Sequence, residues 1–109
     1  MIRPLTVVGV PRLDLDAPDV EAAVAAAAIL ADPIRASILA MLADGPHCVC
    51  EMAAALDARE NTVSNHLAKL REAGLVHATR HETNARFLYY ERDEDAVVAT
   101  RDALRRVVG

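Results

Sequence analysis

Arg59-Glu60-Asn61-Thr62-Val63-Ser64-Asn65-His66-Leu67-Ala68-Lys69-Leu70-Arg71-Glu72-Ala73-Gly74-Leu75-Val76 is the stretch that decides the fold. At about 100° per residue, Val63, His66, Leu67 and Leu70 fall on one face of a helix. Asn61, Asn65, Ala68 and Glu72 lie opposite, flanked by Thr62, Ser64 and Lys69. The pattern predicts a helix over 60–72, stopped at Gly74, a residue that tolerates the backbone a helix end requires. A shorter helix is predicted over 49–56. Asp57-Ala58-Arg59 forms a tight connection between the two, which is the helix-turn-helix arrangement.

The outer face of the second helix begins with small polar side chains, and reading helices contact bases from their N-terminal end. An asparagine can bond adenine through two hydrogen bonds, and serine or threonine reaches a base or a phosphate. Asn61, Thr62, Ser64 and Asn65 are therefore the candidate base readers. Lys69, Arg80 and Arg86 are placed for phosphates. A solvated helix face in some other helical domain has the same polarity. The short helix, the turn, the glycine stop and a basic hairpin downstream favour DNA binding. His66 sits on the core-facing stripe and reads as a packed, hydrogen-bonded histidine rather than a ligand.

Strands are predicted over 75–80 and 86–90, joined by residues 81–85, where Asn84 accepts a left-handed turn. This hairpin is a wing. A last helix is predicted over 93–107, with Val97, Leu104 and Val108 on one stripe and Val98 and Val107 beside it. Upstream, Asp32-Pro33 signals a helix over 33–43 with Ile34, Ile38, Leu39 and Leu42 on one face, ended by Asp44-Gly45-Pro46. Asp19 is read as the cap of a helix over 20–30. Pro4, Pro11 and Pro18 interrupt residues 1–18, read as an extended arm. The expected organisation is one mainly α domain with a small β-hairpin over 19–109, preceded by that arm.

A chain of 109 residues builds one domain. With 53% apolar but only 3% aromatic residues, its core must come from Ala, Val, Leu and Ile. The net charge of −4 hides an asymmetry. Residues 1–58 carry three arginines against eight acids, and 93–109 three against four, whereas 59–92 carry six basic groups against four acids. The only positive third is the one that reads as a DNA reader. Two cysteines and no signal-peptide layout argue against a disulfide scaffold. The longest apolar run, residues 22–31, is too short to span a bilayer. A cytoplasmic protein without a membrane partner is expected. No phosphate loop or nucleophile set suggests an enzyme.

Upstream of the turn stands His47-Cys48-Val49-Cys50-Glu51-Met52, which holds both cysteines. Thiolates select soft ions: As(III), Sb(III), Cd(II), Pb(II), Hg(II), Cu(I) or Zn(II). Residues two apart point about 200° from each other on a regular helix, so sharing an ion needs a loose helix start. A helix N-terminus is also expected to lower the thiol pKa. His47 is the nearest candidate third ligand, which would suit Zn(II) or Cd(II), and Asp14 or Asp16 of the arm is a weaker one. The competing readings are two small buried apolar side chains and a redox switch.

The chain resembles the ArsR/SmtB family of metal-responsive repressors over residues 31–90. The resemblance is carried by Leu30-Ala31-Asp32-Pro33-Ile34-Arg35, by Cys48-Val49-Cys50-Glu51-Met52, and by Val63-Ser64-Asn65-His66-Leu67 with Leu70 and Ala73-Gly74-Leu75-Val76. It implies a winged-helix homodimer with first and last helices at the interface. It also implies an operator-bound apo repressor, released when a ligand such as As(III), Cd(II), Pb(II) or Zn(II) binds at Cys48 and Cys50. An imperfect inverted repeat is the expected operator, matching a two-fold dimer. The chain departs from the family pattern in places. Arg59 stands where a small cap is usual, Ala53 where arsenic sensors add a third cysteine, and the arm has no cysteine. The last helix offers Asp93, Glu94, Asp95 and Asp102 but no histidine.

Overall fold

The computed structural model describes residues 18–80 and 88–109. Its elements run α1 (Pro18–Leu30), α2 (Pro33–Leu42), β1 (His47–Cys48), α3 (Val49–Leu56), α4 (Glu60–Glu72), β2 (Val76–Arg80), β3 (Leu88–Arg92) and α5 (Glu94–Val108). The strands form an antiparallel sheet in the order β1-β3-β2. This is a winged helix: α3 and α4 make the helix-turn-helix, and β2 and β3 are the wing strands.

Local chemistry sets most boundaries. Asp32 Oδ1 accepts from the Ile34 and Arg35 amides at 2.8 and 3.3 Å and opens α2, with Pro33 in the first turn. Burial raises the Asp32 pKa, but those two amides, with His66 and Arg35 nearby, bring it below the ordinary carboxylate value. Helix α4 closes on Gly74 at φ 77, with the Gly74 amide donating to Arg71 O at 2.9 Å and Leu75 to Leu70 O at 3.0 Å. The turn before α4 pivots on Asp57 at φ 50, a left-handed conformation that aspartate tolerates better than most residues. Asp93 caps α5 by accepting from the Ala96 amide at 3.0 Å.

The core sits between α2, α3, α4 and the sheet. Ile38, Met52, Val63, Leu67 and Leu70 are fully buried, and Leu42, Leu75, Val76 and Tyr90 complete the cluster. Each such aliphatic side chain removed from water contributes ~1.5–3 kcal/mol. Helix α1 packs on α5, with Ala23, Ala26 and Ala103 buried at the contact. Val24, Val98, Val107 and Val108 are exposed. The expected α5 stripe of Val97, Leu104 and Val108 lines an open cavity of about 440 Å³ with Leu30, Leu39 and Leu75.

Four expectations need correction. Helix α1 begins at Pro18, so Pro18 belongs to the domain and Asp19 lies within the first turn rather than capping it. Strand β1 was not foreseen. Strand β3 runs on to Arg92 instead of ending at Tyr90, because Arg92 pairs with Val76 and its Nη1 donates to Leu39 O at 3.2 Å. Helix α5 starts one residue later, with Asp93 outside it as the cap. The remainder of the arm, with Asp14 and Asp16, lies outside the described residues, as does the turn at Asn84. Among the described residues no single helix is long and apolar enough to cross a membrane; α1 and α2 would reach that length only together, and they meet at a 91° bend.

Candidate thiol site and nucleic-acid interface

Cys48 is not helical. It has extended backbone (φ −86, ψ 166) and is both the last residue of β1 and the cap of α3. Its sulfur faces the Glu51 amide, and its own amide donates to Glu51 Oε1 at 3.0 Å, which is the reciprocal capping box. Cys50 sits in the first turn of α3 and is exposed, whereas Cys48 is buried. The 200° divergence of a regular helix does not apply, because only one of the two residues is helical. Cys48 at the cap and Cys50 in the first turn stand two residues apart at the start of α3.

Burial first, and then the neighbouring Cys50 thiol, push the Cys48 thiol up to about 11, and the opposing pull of the Glu51 amide is outweighed. The expectation that a helix N-terminus lowers the thiol pKa is therefore reversed at Cys48. The Cys48 amide, which donates to the Glu51 carboxylate, and then the Cys48 side chain hold Glu51 below the ordinary carboxylate value, with His47 adding to them. His47 Nδ1 lies 3.5 Å from Glu51 Oε2. Among the described residues no three His, Cys, Asp or Glu side chains converge as a metal-binding set. The structure thus brings Cys48 and Cys50 together and leaves His47 beside Glu51. Glu51 was legible as Cys48 plus three, the capping-box spacing. Tyr89 was not: it stands opposite Cys48 only because β1 pairs with β3.

Helix α4 presents the expected faces. Val63, Leu67 and Leu70 are buried, and Asn61, Ser64, Asn65 and Lys69 are exposed, while Thr62 is half-buried. Arg80 is exposed at the end of β2, and Arg86 lies outside the described residues. Arg59 is exposed at the start of α4 and makes no capping hydrogen bond. His66 is held as a structural residue: Arg35 Nη1 donates to its Nδ1 at 3.2 Å, and its Nε2 lies 3.7 Å from Asp32 Oδ1. Arg35 also donates to Ile29 O at 2.7 Å and Ala28 O at 3.2 Å. One guanidinium therefore ties the end of α1, the start of α2 and the inner face of α4, which fixes how the reading helix is presented.

Residues 32–78, from the α2 cap through the helix-turn-helix into β2, match the profile of the "Bacterial regulatory protein, arsR family". A solved structure described as a "possible transcriptional regulator for arsenical resistance" superposes with a TM-score of 0.63 at 30% identity, over 76% of this chain and 92% of that one. The chain belongs to the ArsR family of bacterial regulatory proteins. Among curated family members, the arsenical resistance operon repressor of Escherichia coli is 47% identical over 49 residues, 44% of this chain and 42% of that protein. The biofilm growth-associated repressor of Agrobacterium fabrum is 39% identical over 75 residues, 69% of this chain and 62% of that protein. The chain spans about half the length of the curated relatives it matches.

Proposed function

We propose that this ArsR-family chain is a DNA-binding transcriptional repressor, not an enzyme, and that a thiophilic metal or metalloid at Cys48 and Cys50 releases it from a double-stranded operator. The observation that carries the reading is the placement of both cysteines at the start of α3, Cys48 as its cap and Cys50 in its first turn, in the helix joined to α4 by the Asp57 turn. Reshaping that helix start would shift the base-reading helix, for a coupling of ~1–3 kcal/mol. Asn61, Thr62, Ser64 and Asn65 are assigned to bases, and Lys69, Arg80 and Arg86 to phosphates.

As(III) is the first choice of inducer, ahead of Cd(II), Pb(II) and Zn(II). Two thiolates and one hydroxide complete a three-donor shell, whereas Zn(II) asks for four donors, and no third side chain converges among the described residues. The naming of the Escherichia coli relative for arsenical resistance supports the same choice. The chain acts as a homodimer in this reading. The exposed valines of α1 and α5 and the open cavity beneath Val108 form the self-complementary face, and an imperfect inverted repeat is its operator.

The second reading is a thiol-redox switch. Two free thiols two residues apart could form a disulfide by giving two electrons and two protons to a peroxide, which leaves as water. Anaerobic titration of reduced protein with As(III), Cd(II), Pb(II) and Zn(II), followed by thiolate-to-metal ultraviolet absorption, tests the first reading. Saturable uptake lost in both Cys48→Ser and Cys50→Ser is expected. No uptake with both thiols free overturns it.

A further inference from the structure

We infer that Tyr89 is a positioning residue that carries occupancy of the thiol pair into the wing, so that β3 as well as α4 reports the inducer to DNA. The inference rests on the thiol-ligand reading above. Strand β1 is two residues long, yet it sets Cys48 opposite Tyr89. Residues directly opposed in an antiparallel pair project to the same face and touch. Tyr89 is in turn opposite Thr79 of β2, whose hydroxyl donates to Tyr89 O at 3.5 Å. One row thus crosses the sheet from Cys48 through Tyr89 to Thr79, next to Arg80 of the DNA-facing set.

The neighbouring row, His47, Tyr90 and Ala78, projects to the other face, and Tyr90 is buried in the core. Tyr89 therefore belongs to the thiol face. Strand β3 is held at its middle by buried Tyr90 and at its last residue by Arg92, which donates to Leu39 O at 3.2 Å and to Glu94 Oε2 at 2.9 Å. The other end, Leu88–Tyr89, is the end that leads into the hairpin tip. Drawing both sulfurs to one ion alters the extended cap residue Cys48, and half of β1 is Cys48. The Cys48–Tyr89 pairing passes that change to the half of β3 away from Arg92.

The test uses full-length reduced protein, with arsenite and Cd(II) as probes and a duplex selected from a randomised pool by the apo protein. Metal uptake is read by thiolate absorption, wing response by amide hydrogen exchange, and coupling by the ratio of apo to loaded DNA affinity. In the unaltered protein, loading is expected to change exchange in Val76–Arg80 and Leu88–Arg92. Tyr89→Val keeps a β-branched strand residue and removes the ring. It should bind either probe as the parent does but lose ~2- to 30-fold of the affinity ratio, with Tyr89→Phe keeping most of it. Uptake and DNA release without any wing response, together with an unchanged ratio in Tyr89→Val, overturn the inference alone. Absence of uptake in the unaltered protein overturns the thiol-ligand reading and this inference with it.

Discussion

The buried Cys48 thiol lets pH separate a metal cation from a metalloid. With its pKa pushed up to about 11, Cys48 is protonated across the neutral range. A divalent cation that takes this sulfur must displace its proton, so Cd(II) affinity rises at least ~10-fold per pH unit, or ~100-fold from pH 6.5 to 8.5, from Cys48 alone. Arsenous acid differs in its proton balance. Cys48 gives its proton to a departing hydroxide, water leaves, and no net proton is released, so As(III) affinity is flat over the same window. A thiol pushed up to about 11 also weakens a cation at neutral pH, because its proton must be displaced first. That penalty falls on Cd(II), Pb(II) and Zn(II) but not on As(III), and it biases the site toward the metalloid. The assay is chelator-competed Cd(II) titration and direct arsenite titration at several pH values, anaerobically. A Cd(II) affinity independent of pH between 6.5 and 8.5 would show that Cys48 is already a thiolate and refute the reasoning.

Three further outcomes are expected. Asn65→Ala should cost ~1–3 kcal/mol at the base it reads and relax specificity there, whereas Lys69→Ala should weaken all duplexes alike and reduce the salt slope by about 1; both are measured by DNA titration at several salt concentrations. Leu67→Ala removes a side chain that is 1% exposed in the core and should destabilise the fold by about 2–5 kcal/mol in urea unfolding. Asp32→Ala removes the α2 cap and should destabilise the fold. The capping carboxylate has a lowered pKa, so its contribution is present above the ordinary carboxylate range and lost as pH falls below it. The stability gap between Asp32→Ala and the parent should therefore close in acid, as followed by thermal melts.

The helix-turn-helix was legible to the residue. Its bounds rest on local signals, namely the Gly74 stop, the Asp57 turn and the 3.6-residue spacing of Val63, Leu67 and Leu70. The structural role of His66 was legible for the same reason. Strand β1 was not, because two residues have no periodicity and their partners, Tyr89 and Tyr90, lie some forty positions away. That pairing makes Cys48 an extended cap rather than a helical residue, and burial at the pairing raises its pKa. The position of the thiols at the start of α3 was therefore legible, and the extended backbone of Cys48 was not. The end of β3 was misplaced because Glu91 and Arg92 look like turn residues; Arg92 stays in the ladder through its hydrogen bonds to Leu39 and Glu94.

The central claim is that occupancy of Cys48 and Cys50 lowers DNA affinity. The most direct test measures binding of the reduced protein to its selected duplex, with and without saturating arsenite, beside Cys48→Ser and Cys50→Ser. The account predicts a ~5- to 150-fold loss of affinity on adding arsenite, with both serine variants still binding the duplex and no longer responding. Equal affinity with and without arsenite in the unaltered protein, at concentrations where uptake is complete, would contradict it.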